Sequence, residues 1–161
     1  MTNRLDLPTV DWRRVSPKYV LVDVIGNVVL MIGLVAVSSI PAYVSRVAAW
    51  WILPAALLVI MIVVIAFVPR RVRAIGYQLR DDDLLFRRGL LFQRFVSVPY
   101  GRMQLIDITR GPVSRALGLS DLHFVTAAAS SGVVVPGLLV ADAEELRDQL
   151  VALAETRRAG L

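Results

Sequence analysis

The sequence predicts a membrane α-helical hairpin followed by one small β-domain, a bent antiparallel sheet or barrel capped by a C-terminal α-helix. Three observations predict it. Two long apolar runs, residues 20–40 and 50–68, each have the length of a bilayer crossing. After Ala74 the apolar period drops to two, the period of strands. From Asp142 the period becomes helical again, with one apolar stripe.

The second run is the plainer of the two. Residues 50–68 are 19 consecutive uncharged residues that lead straight into Pro69-Arg70-Arg71-Val72-Arg73. At about 1.5 Å per residue such a run crosses a hydrocarbon core of about 30 Å. Residues 20–40 hold one charge in 21 residues, Asp23. It falls in the first turn, where a carboxylate reaches the interface. At mid-span the same charge would cost about 2.5–3.5 kcal/mol. Asn27 lies four residues on and shares its helix face. Polar groups on one face of a span usually meet another helix rather than lipid. Asp23 and Asn27 are therefore candidate intramembrane helix contacts, and a proton or ion relay is the other chemistry open to such a pair.

Charge sets the expected orientation. The loop of residues 41–49 has one charge, Arg46, whereas residues 1–19 carry Arg4, Arg13, Arg14 and Lys18, and Arg70, Arg71 and Arg73 follow the second run. Basic flanks stay on the cytoplasmic side. The expected topology is N- and C-termini cytoplasmic with a nine-residue loop outside. Tyr43, Trp50 and Trp51 then mark the outer interface, and Trp12 and Tyr19 the inner one. A secretory signal is the alternative for the first run. The arginine-bearing tail and the want of a small-residue cleavage site argue against it. The chain thus divides into a cytoplasmic tail (1–19), a two-helix hairpin (20–68) and a cytoplasmic domain (69–161).

About 90 residues are left for that domain, enough for one small core. The 161-residue chain has no Cys and one His, His123, which excludes disulfides, thiol nucleophiles and thiolate or His-clustered metal sites. Residues 69–115 hold ten Arg against four Asp, a net of +6, and residues 116–161 hold three Arg against six acids, a net of −3. The basic half is the one tethered to the bilayer, where each basic residue near an anionic leaflet is worth about 1 kcal/mol. Arg87, Arg88, Arg94 and Arg102 are the candidate contacts for a partner or an anionic surface, and anionic lipid headgroups are among the ligands they would suit. Nucleic acid is not expected, because the aromatics are not spaced as a stacking platform.

The domain's elements follow in order. Ile75, Tyr77 and Leu79 alternate with polar neighbours and read as a strand, and Asp81-Asp82-Asp83 turns it. Residues 84–88 return as a second strand, punctuated by Gly89. Residues 91–98 form a third, closed by Pro99-Tyr100-Gly101. Residues 103–110 form a fourth, with Ile106 and Ile108 inward. Gly111-Pro112 opens a short helical turn that Gly118 stops. Residues 119–127 form a fifth strand and 133–135 a sixth, broken by Pro136-Gly137. Asp142 reads as the N-cap of the final helix, with Glu145 completing a capping box. Leu146, Leu150 and Leu153 form its stripe, with Ala143 and Ala154 beside it. Arg157 and Arg158 in its last turn suit the helix dipole.

Arg88-Gly89, Val98-Pro99-Tyr100, Arg102, Gln104, Arg115, Gly118-Leu119, Thr126-Ala127 and Pro136-Gly137-Leu138, in this order after two spans, resemble the bacterial pleckstrin-homology (PH)-like membrane proteins, the YdbS-like family. The resemblance covers about residues 20–157. It implies a PH-like fold, placement in a bacterial cytoplasmic membrane, and a role as a membrane-anchored interaction module. It carries over no catalytic residue. Some eukaryotic relatives of the fold hold phosphoinositides with basic residues at the first hairpin. Here that turn is three aspartates, which would repel phosphate.

The expected function is therefore a non-enzymatic module that presents its β-domain to a protein partner or to a second copy of itself. The alternative is an accessory subunit of a transport, export or peptide-resistance system. No catalytic, cofactor or metal site is expected. Consecutive Asp side chains in a tight turn diverge, whereas Ca²⁺ needs six or more converging oxygens. His123 has no second His, no Cys and no obvious Ser beside it in the chain.

Overall fold

The computed structural model describes residues 12–90, 92–126 and 132–159. The chain divides into two compact units. One is Val20–Val72. The other combines the chain before Val20 with the chain after Val72.

The first unit is a pair of helices, α1 (Tyr19–Ser45) and α2 (Ile52–Arg73), joined through Arg46, Val47 and a 3-10 turn over Ala48–Trp51. Both are long and apolar enough to cross a membrane. α1 runs on past residue 40 and α2 past residue 68, and the loop expected over 41–49 is instead residues 46–51, the last four of them in the 3-10 turn. Polarity marks where a bilayer would end, and backbone hydrogen bonding need not stop there. α1 continues through Pro41, whose carbonyl accepts the Ser45 hydroxyl at 2.7 Å. Ser38 and Ser39 likewise donate to the Val35 carbonyl, at 3.1 and 2.7 Å. A hydroxyl satisfied by its own helix needs no water.

The second unit is all antiparallel sheet plus helix. The strands are β1 (Arg13–Arg14), β2 (Gly76–Leu79), β3 (Asp83–Arg88), β4 (Arg94–Pro99), β5 (Met103–Thr109), β6 (Leu119–Thr126) and β7 (Val133–Leu139). They form a four-stranded sheet, β1-β2-β3-β4, and a three-stranded one, β5-β6-β7. A five-residue helix, α3 (Pro112–Ala116), links β5 to β6, and the last helix, α4 (Val140–Ala159), packs on β5, β6, β7 and the 3-10 turn Tyr100–Arg102. This is the PH-like arrangement of two antiparallel sheets closed by a C-terminal helix.

The core lies between the sheets and α4. Leu84, Phe86, Val98, Tyr100, Leu122, Phe124 and Val135 of the sheets and Ala143, Leu146, Leu150 and Ala154 of α4 are all buried. The helix stripe thus ends on Ala154. Leu153, expected in the stripe, is only half-buried. α4 also starts three residues earlier than a cap at Asp142 would allow. Its Val140 amide donates to the Gly118 carbonyl at 3.3 Å. Asp142 sits inside the first turn, where its charge still favours the helix dipole.

Two strands differ from the expectation. The third runs over Arg94–Pro99 rather than 91–98, and Leu91 lies outside the described residues. The sixth does not end at Pro136-Gly137, because β7 runs on to Leu139. β7 is an edge strand, so Pro136 has room for its missing donor. Ser120 pairs with Leu138 and Leu122 with Val135, so Pro136 and Gly137 together face Asp121 in a bulge. The fifth strand was expected to reach Ala127, which lies outside the described residues.

Strand β1 has no counterpart in the periodicity. Arg13 pairs with Tyr77 and Arg14 with Gly76. The segment read as a tail therefore supplies the edge of the four-stranded sheet. The whole helical hairpin lies, in sequence, between two strands that are neighbours in one sheet.

Candidate functional site

The strand register sorts the candidate arginines. Arg88 and Arg94 are direct partners across β3 and β4. They continue the inward row that holds Phe86 and Val96, which pair with each other. Together these four line part of a pocket of about 130 Å³. Arg87 points to the other face. Its guanidinium lies 4.6 Å from the Trp12 ring centroid, and Trp12 is 6.3 Å from Phe95. Arg102 belongs to the 3-10 turn after β4, at the far end of a six-residue strand, and its side chain lies outside the described residues. At about 3.3 Å per residue that is roughly 20 Å from Arg94. The fold brings two of the four arginines together, sets a third back-to-back with them and separates the fourth.

Between Arg88 and Arg94 the hairpin turns through Gly89. Gly89 has φ +109°, and a Cβ there would come within 2.0 Å of the Phe92 carbonyl oxygen. No other residue fits. The turn holds Phe92 out with 91% of its surface exposed, and Leu90 with 41%. This apolar tip between arginines went unnoticed in the sequence, because Leu91-Phe92 reads there as the start of the third strand.

A second concave region lies between the first two strands and α4. Arg13, Arg14 and Tyr77 face Asp142, Glu145 and Gln149 across about 310 Å³. Burial pushes the Tyr77 phenol above its ordinary value, the nearby Arg13 opposes that shift, and Asp142 adds to it. Charges of both signs line the groove. It could not be read from the sequence, because Arg13 and Arg14 enter it only through the pairing of β1.

His123 stands between buried Leu122 and Phe124 and faces the opposite way, half-exposed. The fold gives it a partner that the sequence did not suggest. Thr109 Oγ1 is 2.9 Å from Nε2, and Asp107 is its partner across β5 and β6. These groups sit on an open strand face. Among the described residues no group of three or more His, Cys, Asp or Glu could hold a metal ion. In the aspartate turn, Asp83 joins β3 and its carboxylate accepts the Ser97 hydroxyl, while the exposed Asp81 and Asp82 stay in the bend. In α1, Asn27 Nδ2 donates to the Asp23 carbonyl at 2.7 Å and approaches its carboxylate at 3.4 Å. Both candidate intramembrane residues are thus engaged within their own helix.

The profile of the bacterial PH domain family matches residues 19–154, well over half of the chain. The chain belongs to the bacterial PH domain family. The YdbS-like resemblance read from its motifs also holds. The transmembrane protein YdbS of Bacillus subtilis (strain 168) is 27% identical over 138 residues, 83% of this chain and 84% of that protein. No solved structure matches. In this PH domain the strand β1 lies just before the matched segment, and the hairpin α1–α2 lies within it.

Proposed function

We propose that this bacterial PH domain is a non-enzymatic interaction module anchored in the cytoplasmic membrane, with both termini on the cytoplasmic side. It offers its β-domain to a protein partner or to a second copy of itself. The observation that carries the reading is the β1–β2 pairing. Arg14 is paired with Gly76, α1 starts at Tyr19 and α2 ends at Arg73. Both ends of the hairpin therefore root in one strand pair. Two chain connections rather than one tie the β-domain to the spans. The relative YdbS is named a transmembrane protein, which accords with α1 and α2 crossing the bilayer.

Photo-crosslinking in cells, followed by purification in mild detergent, tests this. Probes on the β-domain, at Val125 and Glu144, are expected to capture a protein. Capture confined to probes at Asp23 and Asn27 would replace the reading with that of an accessory subunit in a transport system.

A further inference from the structure

We infer that the β3–β4 tip docks the domain onto an anionic bilayer, with Phe92 and Leu90 among the acyl chains and Arg88 and Arg94 on headgroup phosphates. This rests on the reading that α1 and α2 lie in that bilayer. It assigns the tip to lipid and leaves the other surfaces of the domain for a protein.

Three independent features converge on the tip. The first is exposure. Phe92 is the most exposed large apolar side chain among the described residues, on a turn whose shape Gly89 imposes. The second is charge. Arg88 and Arg94 directly oppose one another, and like charges so placed destabilise a strand pair. Among the described residues neither has a carboxylate in ion-pair contact. A phosphate between them removes the repulsion and supplies two charge-assisted hydrogen-bonding groups. The third is position. Gly76 pairs with Arg87, so the chain beyond Arg88 extends past the end of the sheet where β2 begins. That end is three residues from Arg73, the last residue of α2. The segments that lead into α1 and out of α2 join β1 and β2 at that same end of the sheet. Trp12 lies at that end too, over the Gly76 backbone, and tryptophan favours the membrane interface.

The chain has no cysteine, so single cysteines can be labelled cleanly. The full chain is reconstituted into vesicles of phosphatidylcholine alone or mixed with phosphatidylglycerol. A polarity-sensitive fluorophore is placed at Gln93→Cys, which keeps Phe92, and quenched by nitroxide lipids. Strong quenching is expected in the anionic vesicles and weak quenching in the zwitterionic ones. Arg88→Gln or Arg94→Gln is expected to shift the docked equilibrium about fivefold toward undocked, from the usual worth of one basic residue at an anionic surface. Phe92→Ser is expected to undock the tip in both lipids. A label at Ile62→Cys, within α2, reports separately on membrane insertion. Quenching at Ile62 without quenching at Gln93 overturns the docking alone. Absence of both overturns the anchored reading itself. Equal quenching at Gln93 in the two lipids overturns the headgroup role, and a protein crosslinked from Gln93 in cells reassigns the tip to a protein partner.

Discussion

Two separate constraints make residue 137 a glycine. Its φ of +65° is a left-handed conformation, and a Cβ there would meet the Tyr19 ring at 2.4 Å. Its amide donates to Asp121 at 2.8 Å and its carbonyl accepts from Ser16 at 2.9 Å. One residue therefore ties the β7 bulge to the segment leading into α1. Gly137→Ala should destabilise the domain by at least about 1–2 kcal/mol from the backbone alone, plus the clash. Tyr19→Ala in the same chain should recover only the clash. Thermal unfolding of the three proteins in detergent checks this, and full recovery by Tyr19→Ala would contradict the backbone part. Tyr100 is a second such knot. It is fully buried, its hydroxyl donates to the Arg80 carbonyl at 2.7 Å, and its amide donates to the Asp82 carbonyl at 3.3 Å. Burial holds its phenol above the ordinary 10.0, and the Asp83, Asp81 and Asp82 charges push the same way. The folded state then keeps this proton longer than the unfolded chain does. Its contribution is complete below about pH 10 and is lost as pH rises through the folded value. Melting temperature should fall above about pH 10, and less steeply in Tyr100→Phe, whose loss at neutral pH should be about 1–3 kcal/mol for the unpaired carbonyl.

At the scale of elements, α4 shows what burial decides. Leu150 is fully buried, while Glu144 reaches Arg110 at 3.3 Å with about half of its side chain in solvent. Leu150→Ala should cost about 2–5 kcal/mol. Glu144→Ala removes a surface ion pair and should cost under about 1 kcal/mol. Urea unfolding followed by tryptophan fluorescence separates the two, and equal losses would mean that α4 does not dock through this stripe. The same helix was legible in the sequence in its type and main contacts. Its start was not, because the Val140 amide finds its acceptor at Gly118, in another part of the chain.

For the molecule as a whole, the proposed topology puts the α1–α2 link outside and the β-domain inside. Single cysteines at Val47 and Glu155 should label from opposite sides in intact cells: the impermeant reagent reaches Val47→Cys at once and Glu155→Cys only after lysis. Ser130, a natural choice by sequence, lies outside the described residues. Equal labelling of both positions in intact cells would discard this orientation.

The sequence by itself determined the elements that local patterning controls. Nineteen uncharged residues in a row, alternation around Tyr77 and Phe86, and the stripe through Leu146 and Leu150 each reflect one element meeting one solvent, so they need no knowledge of the rest of the chain. The motif order also led to the family. Only the tertiary structure decided what depends on partners far apart in the chain. Arg13 and Arg14 show no strand pattern because two residues carry no period, and β2, some sixty residues later, makes them a strand. The same pairing creates the groove at Tyr77. Pro136-Gly137 reads as a strand break, yet β6 holds it as a bulge through Asp121. Arg87, Arg88, Arg94 and Arg102 look like one patch on composition. Strand alternation and strand length divide them, and Arg88 and Arg94 are left as direct partners on either side of the hairpin that exposes Phe92.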